Sequence, residues 1–385
     1  MKISLKRTPE QIELVKAMAS KNRDVAYEAQ VALAQFLGPV LAQVINNAPV
    51  LSNLFSTLSF NSEDNPSIPL DLYYDITDED YIQIYSQQVA GGLPTNQVLP
   101  TSAEMKMTTY TLDSALSFDK RYAAKSRMDV VSKTFTRMAQ EILNKQEKTS
   151  ANLILTSLAS AQTNGKKHVQ RANASGRFLL QDMNELLTLS RRVFTSFTAG
   201  TPADGLSGMG ITDLMISPEI EEELRAMAYN PINTKAVGEN ALADIVDSGI
   251  TAPESIRLGL FNGGGISSFY GVNLLVFNEF GQGRKFNTIF HQVASSASAT
   301  YSKAAGGSAT AFSSTNDELL LGINRGRESL IRALATDSET GSEFSLIADD
   351  QYSIRQGKIG YFGSLEEGRM VIDTRALFGK IVTRA

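Results

Sequence analysis

The longest periodic stretch of the chain runs from Met128 to Ala161. Val131, Phe135, Met138 and Ile142 fall on one face at helical spacing there, and Ile154 and Leu158 continue it. Ser126, followed three residues later by Asp129, reads as a capping box that starts the helix, and Asn164-Gly165 reads as its stop. At 1.5 Å per residue such a helix would be about 50 Å long. Its middle, Asn144 to Ser150, is polar all round. That predicts a strut instead of a helix sunk in one continuous core; a long core helix is the plainer alternative.

Before it, Pro9 to Ala48 is helical in pattern, with Thr8-Pro9 as a start signal. Ile12, Val15 and Ala19 share a face. A dense apolar run follows from Val31 to Ile45, interrupted at Gly38-Pro39. The region is either a helical subdomain in a core or an amphipathic arm that docks on a partner. From Asn65 to Ala124 the period changes to two: Ile68, Leu70, Leu72 and Tyr74 alternate with polar neighbours, and Met105, Met107, Thr109 and Thr111 do so again. Between them QQVAGGLPTNQVLP (87–100) is rich in turn formers, so two long arms around a Gly/Pro tip read as an extended hairpin.

After the long helix comes a polar loop, Lys166 to Arg177, and a second helix that starts at Asp182 and Glu185 and carries Met183, Leu186, Leu187, Val193, Phe194 and Phe197. TPADGLSGMG (201–210) is a candidate boundary. Asp213 to Ser217 reads as a short buried strand. Ser217-Pro218-Glu219 opens a helix that Asn230-Pro231 ends, and Ala241 to Val246 gives another. Phe269 to Phe277 and Phe286 to Val293 read as strands split by Gly281-Gln-Gly283, so the centre alternates helix and strand as α/β units do. Ala294 to Asn316 is low in complexity and is expected to be a mobile surface loop. The remainder reads as apolar stretches at Leu319–Ile323 and Ser329–Leu334, then strands at Phe344–Ile347, Lys358–Phe362, Met370–Ile372 and Phe378–Val382.

Composition narrows the chemistry. The 385 residues suit two or three packed units, and no run approaches the ~18 apolar residues of a membrane span. The opening MKISLKRTPEQIELVK has no uninterrupted apolar run, so no secretory leader is expected. The absence of cysteine excludes disulfides and thiolate chemistry, and fits synthesis in a reducing cytoplasm. With only His168 and His291, an all-histidine metal site within one chain is also excluded. Asn262-Gly-Gly-Gly265 lacks the strand–loop–helix context of a phosphate loop and reads as a turn. Ser217 is a helix cap, not a nucleophile, and His291 a structural histidine in a strand. His168 sits among Lys166, Lys167 and Arg171 on a solvated basic face, able to meet phosphate but without interleaved aromatics. Asp78-Glu79-Asp80 lacks the spacing of a calcium loop. No catalytic, cofactor or metal site is expected.

The net charge of −5 conceals a segregation. Ser62 to Met105 carries eight acidic side chains, among them Asp71, Asp75, Asp78, Glu79 and Asp80, and no lysine or arginine. Asp119 to Arg177 carries twelve basic residues, among them Lys133, Arg137 and Lys145, against four acidic ones. Such blocks pair within a chain or between copies, setting register and partner choice.

This order of elements resembles the major capsid proteins of tailed bacteriophages with the Hong Kong 97-type fold. The residues that carry the resemblance are DLMISPEIEEEL (213–224), FYGVNLLVF (269–277), and QYSIRQGKIGYF (351–362) leading to Asp373-Thr-Arg-Ala376. It implies an α+β fold with an N-terminal helical arm at 1–64, an extension-loop hairpin at 65–125, a peripheral domain with the long spine helix at 126–200, an axial α/β domain at 201–335, and C-terminal strands at 336–385 returning to the peripheral domain. It further implies a non-enzymatic shell subunit forming hexamers and pentamers around double-stranded DNA. Scaffolding and portal proteins, and in shells that carry one a cementing protein, would be its partners, with non-specific DNA contact and no membrane. Its place would be the virion capsid, assembled in the host bacterial cytoplasm. An extension loop of this family lies on the adjacent subunit, so the acidic block would meet Lys133, Arg137 and Lys145 of a neighbour. Some members lock their shells through a loop lysine; Glu63 to Met105 has none. The alternatives are an encapsulin-type nanocompartment shell, against which the length of the hairpin argues, and a cytosolic α/β enzyme, for which no constellation of site residues is visible.

Overall fold

In a computed structural model, residues 8–47, 51–69, 104–163, 165–193, 210–229, 268–336, 342–349 and 356–384 are described. The helices are α1 (Pro9–Ala17), α2 (Arg23–Asn47), α3 (Lys120–Ala124), α4 (Met128–Ser160), α5 (Leu180–Arg192), α6 (Pro218–Tyr229) and α7 (Lys285–Ser296). The first strands are β1 (Ser56–Asn61), β2 (Ser67–Pro69), β3 (Glu104–Lys106), β4 (Thr109–Asp119), β5 (Gln162–Thr163), β6 (Lys166–Lys167), β7 (Val169–Arg171), β8 (Asp213–Ile216), β9 (Ser268–Phe269) and β10 (Val272–Val276). There follow β11 (Thr300–Tyr301), β12 (Thr310–Ala311), β13 (Asp317–Ile323), β14 (Leu330–Thr336), β15 (Ser345–Asp349), β16 (Lys358–Val371) and β17 (Leu377–Thr383). The mixed helix-and-sheet class expected from the sequence holds. By packing, the chain divides into two units: residues 1–69, 104–151 and 330–370 form one, and 70–103, 152–329 and 371–385 the other.

The first unit is a five-stranded sheet covered by helices. Its order is β1-β14-β16-β15, with β4 paired antiparallel along β16 from Thr109↔Gly368 to Asp119↔Lys358. The expected α4 face is buried: Val131, Phe135, Met138 and Ile142 pack with Leu33, Leu37 and Leu41 of α2 and with Tyr361 and Leu365 of β16. Residues Arg23–Ile45 are long and apolar enough to cross a membrane by length and composition, yet this face of α2 is part of that core. β2 and β3 form an antiparallel ladder, Ser67↔Lys106 to Pro69↔Glu104, which is the root of the expected hairpin; residues 70–103 lie outside the described residues.

Several boundaries differ from the sequence reading, each for a local reason. Thr8 caps α1 as expected, its Oγ1 accepting from Gln11 N. The helical region breaks at Met18–Asn22 and not at Gly38-Pro39, which α2 runs through. At the break, Ser20 Oγ accepts from Asn22 N and Asn22 Oδ1 from Asp24 N, short polar side chains replacing helical backbone partners. Ser126 forms no capping box. It adopts φ +52° and its buried Oγ has no partner among the described residues, so α4 starts at Met128. α4 ends at Ser160, and Gly165 (φ +74°) instead turns β5 into β6. β16 is one 14-residue strand where the sequence suggested two, because Gly363 and Gly368 dilute its apolar pattern. A Cβ at Gly363 would stand 2.6 Å from Phe344 Cζ and 3.1 Å from Met138 Sδ, so the glycine lets α4 and the residue just before β15 close on the strand. Gly363→Ala is therefore expected to lower stability by about 1–3 kcal/mol through overpacking, measured by urea unfolding. An unchanged midpoint would show that Phe344 simply swings aside.

The second unit is built on the six-stranded sheet β7-β17-β13-β8-β10-β9. β13 is antiparallel to both β8 and β17, whereas β10–β8 and β17–β7 are parallel. Every residue of β8 and β13 is buried. α5 and α6 cover this sheet with Met183, Leu186, Ile220 and Leu224 packed on Leu214, Ile216, Leu320 and Phe378. Asp182 fastens the start of α5 by accepting from Leu179 N at 3.0 Å and Asn173 N at 2.9 Å. The helix stops at Arg192, and Phe194 and Phe197 lie outside the described residues. Ser217 caps α6 as expected, its Oγ accepting from Ile220 N.

Three expectations of secondary structure fail in this unit. Phe269 to Phe277 is not one strand, because Tyr270 (φ +53°) and Gly271 (φ +79°) turn β9 back antiparallel onto β10. Phe286 to Val293 is not a strand but lies within α7. Phe286, Phe290 and Ala294 are buried at i, i+4 and i+8, a helical period hidden by aromatic and β-branched residues that suggested a strand. Ala294 to Asn316 is not a plain loop. β11 and β12 form a small hairpin whose Tyr301 and Phe312 are buried against Phe290 at ring distances of 5.8 and 4.9 Å. Ala241–Val246 and Asn262–Gly265 lie outside the described residues.

Candidate functional site

The two halves of the expected contact fare differently. Asp71, Asp75, Asp78, Glu79 and Asp80 lie outside the described residues. Lys133, Arg137 and Lys145 stand exposed in one i, i+4 row of α4, as a contact surface needs. That row is less basic than the sequence count implied: Asp129 and Glu141 belong to it, and Arg137 Nε sits 2.9 Å from Glu141 Oε1. The face is a mixed-charge stripe, in which Lys133 and Lys145 are the cations not joined to a carboxylate among the described residues.

The polar middle of α4 has a different meaning from the one read in the sequence. Gln146 and Ser150 are fully buried, within a charged cluster of the first unit. At its centre Glu367 on β16 meets Arg332 Nε at 2.9 Å and Arg369 Nη2 at 3.0 Å. Tyr110 of β4 donates to Glu367 Oε1 at 2.8 Å and Gln146 Nε2 to Oε2 at 3.2 Å. Arg369 also donates to Ser52 Oγ at 2.6 Å and to Ser150 Oγ, and its guanidinium lies over the Phe55 ring. Glu147, one position along the helix, accepts from the backbone N–H groups of Leu51 and Ser52. One carboxylate thus stands between two guanidiniums and joins β4, β14, β16 and α4. Burial alone would raise its carboxyl, but the charges of Arg369 and Arg332 and the Tyr110 hydrogen bond outweigh it and hold it below the usual range. The same burial and carboxylate push the Tyr110 phenol up to about 12.

A second set of buried pairs fixes the C-terminal strand in the second unit. Lys380 is fully buried, with Nζ 2.7 Å from Glu185 Oε2 and 3.6 Å from Asp182 Oδ1. Arg384 joins Glu318 at 2.7 Å and Glu223. Arg171, expected on a solvated face, is buried in a two-pronged pair with Asp317 at 2.9 and 3.0 Å and donates to Ala311 O as well. His168 is likewise not solvated. Its Nδ1–H faces Thr374 O (3.0 Å) and Leu377 O (3.1 Å), Nε2 faces Thr163 Oγ1 (2.8 Å), and burial holds the imidazole below its ordinary pKa. Satisfied at both nitrogens, it is a neutral structural histidine. His291 rides on α7, not a strand, with Nδ1 2.7 Å from Phe312 O. Among the described residues no group of three or more His, Asp or Glu side chains is placed to hold a metal ion.

No family model matches the sequence, and no curated protein matches it. Among solved structures, the capsid of the cyanophage P-SCSP1u is 12% identical, with a TM-score of 0.45, covering 88% of this chain and 89% of that one. The capsid of an empty gene transfer agent particle is 11% identical with a TM-score of 0.47, covering 86% and 89%. An encapsulin complex (holo-SrpI) from Synechococcus elongatus is 11% identical with a TM-score of 0.44, covering 87% and 88%.

Proposed function

We infer that this chain is a structural shell subunit, the major capsid protein of a tailed phage, forming hexamers and pentamers of an icosahedral shell around double-stranded DNA. The observation that carries the reading is the root of the hairpin. The β2–β3 ladder brings the chain back at Glu104 beside the point where it left at Pro69, and β4 then runs the length of β16 directly before the 33-residue helix α4. That is the order of extension loop, peripheral-domain sheet and spine expected of the fold family. Scaffolding, portal and cementing partners, contact with packaged DNA and assembly in the host cytoplasm belong to the same reading. Electron microscopy of the purified chain at high concentration tests it. Closed shells or capsomer rings are expected, and their diameter and internal density separate a phage capsid from an encapsulin; a monomer that tightly binds a small ligand returns the enzyme alternative.

Between copies, Lys133 and Lys145 meet the acidic block around Asp71, Asp75, Asp78, Glu79 and Asp80, with Arg137 shared with Glu141. Exposed ion pairs are worth only about 0–1 kcal/mol each, but across a shell they set register. Lys133→Glu or Lys145→Glu is expected to reduce shell yield several-fold while leaving the melting temperature of the free subunit unchanged. The loss should deepen as salt is raised, since screening weakens the remaining pairs. Normal yield of both variants at every salt concentration would rule the contact out.

A further inference from the structure

Two long stretches of the second half of the spine and beyond lack any aspartate or glutamate: Lys148 to Gln181, between Glu147 and Asp182, and Phe280 to Asn316, between Glu279 and Asp317. The second unit brings parts of both together. Arg171 bridges to Lys303, and its N–H donates to Ser302 O at 2.9 Å. Lys167 Nζ donates to Thr300 O at 2.7 Å and stands over the Tyr301 ring, while Lys303 Nζ donates to Asn173 O at 2.9 Å. The flanking acids are committed elsewhere: Asp317 to Arg171, and Asp182 and Glu185 to Lys380. Arg171 is thereby neutralised and His168 is buried. What remains at the surface is Lys166, Lys167 and Lys303, with no carboxylate at ion-pair distance among the described residues.

We propose that this surface, made by β6 and the β11–β12 hairpin, binds the phosphate backbone of double-stranded nucleic acid through Lys166, Lys167 and Lys303. The biological occasion for it rests on the shell reading above. Each ammonium keeps donors for a phosphate, because Lys167 and Lys303 each have one hydrogen bond and Lys166 is exposed. The hairpin residues 304–311 are exposed and small, with hydroxyls at Ser308 and Thr310 and with Gly306 and Gly307 at φ +90° and +117°, so phosphates can approach backbone and hydroxyl donors closely. The patch has no exposed large apolar side chain to anchor a protein partner, and its aromatic ring, Tyr301, is buried. With no ring on which to stack bases, a duplex suits it better than a single strand. In a chain of net charge −5, attraction for a polyanion has to be local, and three lysines without a carboxylate beside them supply such a spot.

The test is fluorescence anisotropy of a labelled duplex of about 30 base pairs with the full-length chain, from about 20 to 150 mM salt, reading the slope of log K against log salt. Changing all three lysines to glutamine is expected to reduce the slope by about 2.7, roughly 0.9 per phosphate contact, and Lys166→Gln alone by about 0.9. Lys133→Gln with Lys145→Gln should leave it unchanged. Far-UV circular dichroism checks folding; should the triple variant unfold, the exposed Lys166 decides by itself. A slope unaffected by Lys166→Gln overturns the proposal. So does displacement of the duplex by one equivalent of a peptide spanning residues 62–105, which would assign the patch to the acidic block of another copy. Shell formation is read separately by microscopy: shells without lysine-dependent binding remove this proposal and keep the shell, whereas lysine-dependent binding by a chain that never assembles does the reverse.

Discussion

Glu367→Ala should remove about 3–5 kcal/mol from the stability of the first unit, the cost of leaving buried charges without their counterion. The substitution takes their shared carboxylate from Arg332 and Arg369 in an interior where both are almost fully desolvated, and takes the acceptor from Tyr110 and Gln146. Chemical denaturation followed by far-UV circular dichroism measures it; a loss below about 1 kcal/mol would mean that water or Glu147 replaces the carboxylate. Replacing Glu367, Arg332 and Arg369 together by apolar residues of similar volume should cost less than the single change, because the two buried guanidiniums leave with their shared carboxylate. The pH dependence has a definite sign. Since the folded carboxyl is held below its unfolded value of about 4.3, its contribution is complete above that pH and is lost as pH falls through the lower folded value.

Lys380→Met in the second unit is expected to cost a similar 3–5 kcal/mol or so, for the opposite charge. It leaves Asp182, fully buried, and Glu185 with no cation between them, at the start of the helix that Asp182 itself fastens. Lys380 together with Asn173 more than offsets the burial that would raise the Glu185 carboxyl. Without the lysine the Glu185 carboxyl moves up, so the variant's deficit should be largest near neutrality and shrink as acid protonates it. Melting curves at pH 7 and near pH 4.5 check this. A deficit that is constant with pH would show that the loss is one of packing, and Glu185→Gln, which removes one of the two anions, should then fail to rescue Lys380→Met.

What could be read in the sequence, and what could not, divides along the range of the interactions. Thr8-Pro9 and Ser217-Pro218 announced their helices because capping is decided within four residues. The α4 face from Val131 to Ile142 was legible because one helical period suffices to show it. The meaning of Gln146 and Ser150 was not, since their partners, Glu367 and Arg369, are more than 200 positions away and polarity alone suggests solvent. Arg171 and His168 misled for the same reason: beside Lys166 and Lys167 they look like a basic face, until Asp317 and the carbonyls of Thr374 and Leu377 fold against them. Phe286 to Val293 failed differently, through a local ambiguity that only burial on one side of α7 resolves.

The β2–β3 ladder has a consequence for how such a chain can vary. Cross-strand partners lie about 5 Å apart, so Pro69 and Glu104 form a doorway through which a segment leaves and re-enters at nearly the same point. Lengthening a segment so closed costs little, because each doubling adds only about 0.6 kcal/mol of closure entropy. The strands and helices behind the doorway do not register how long the excursion is. The thirty-four residues from 70 to 103 can be exchanged, shortened or grafted from another chain as a cassette while the strands and helices of the first unit that hold its two ends stay the same.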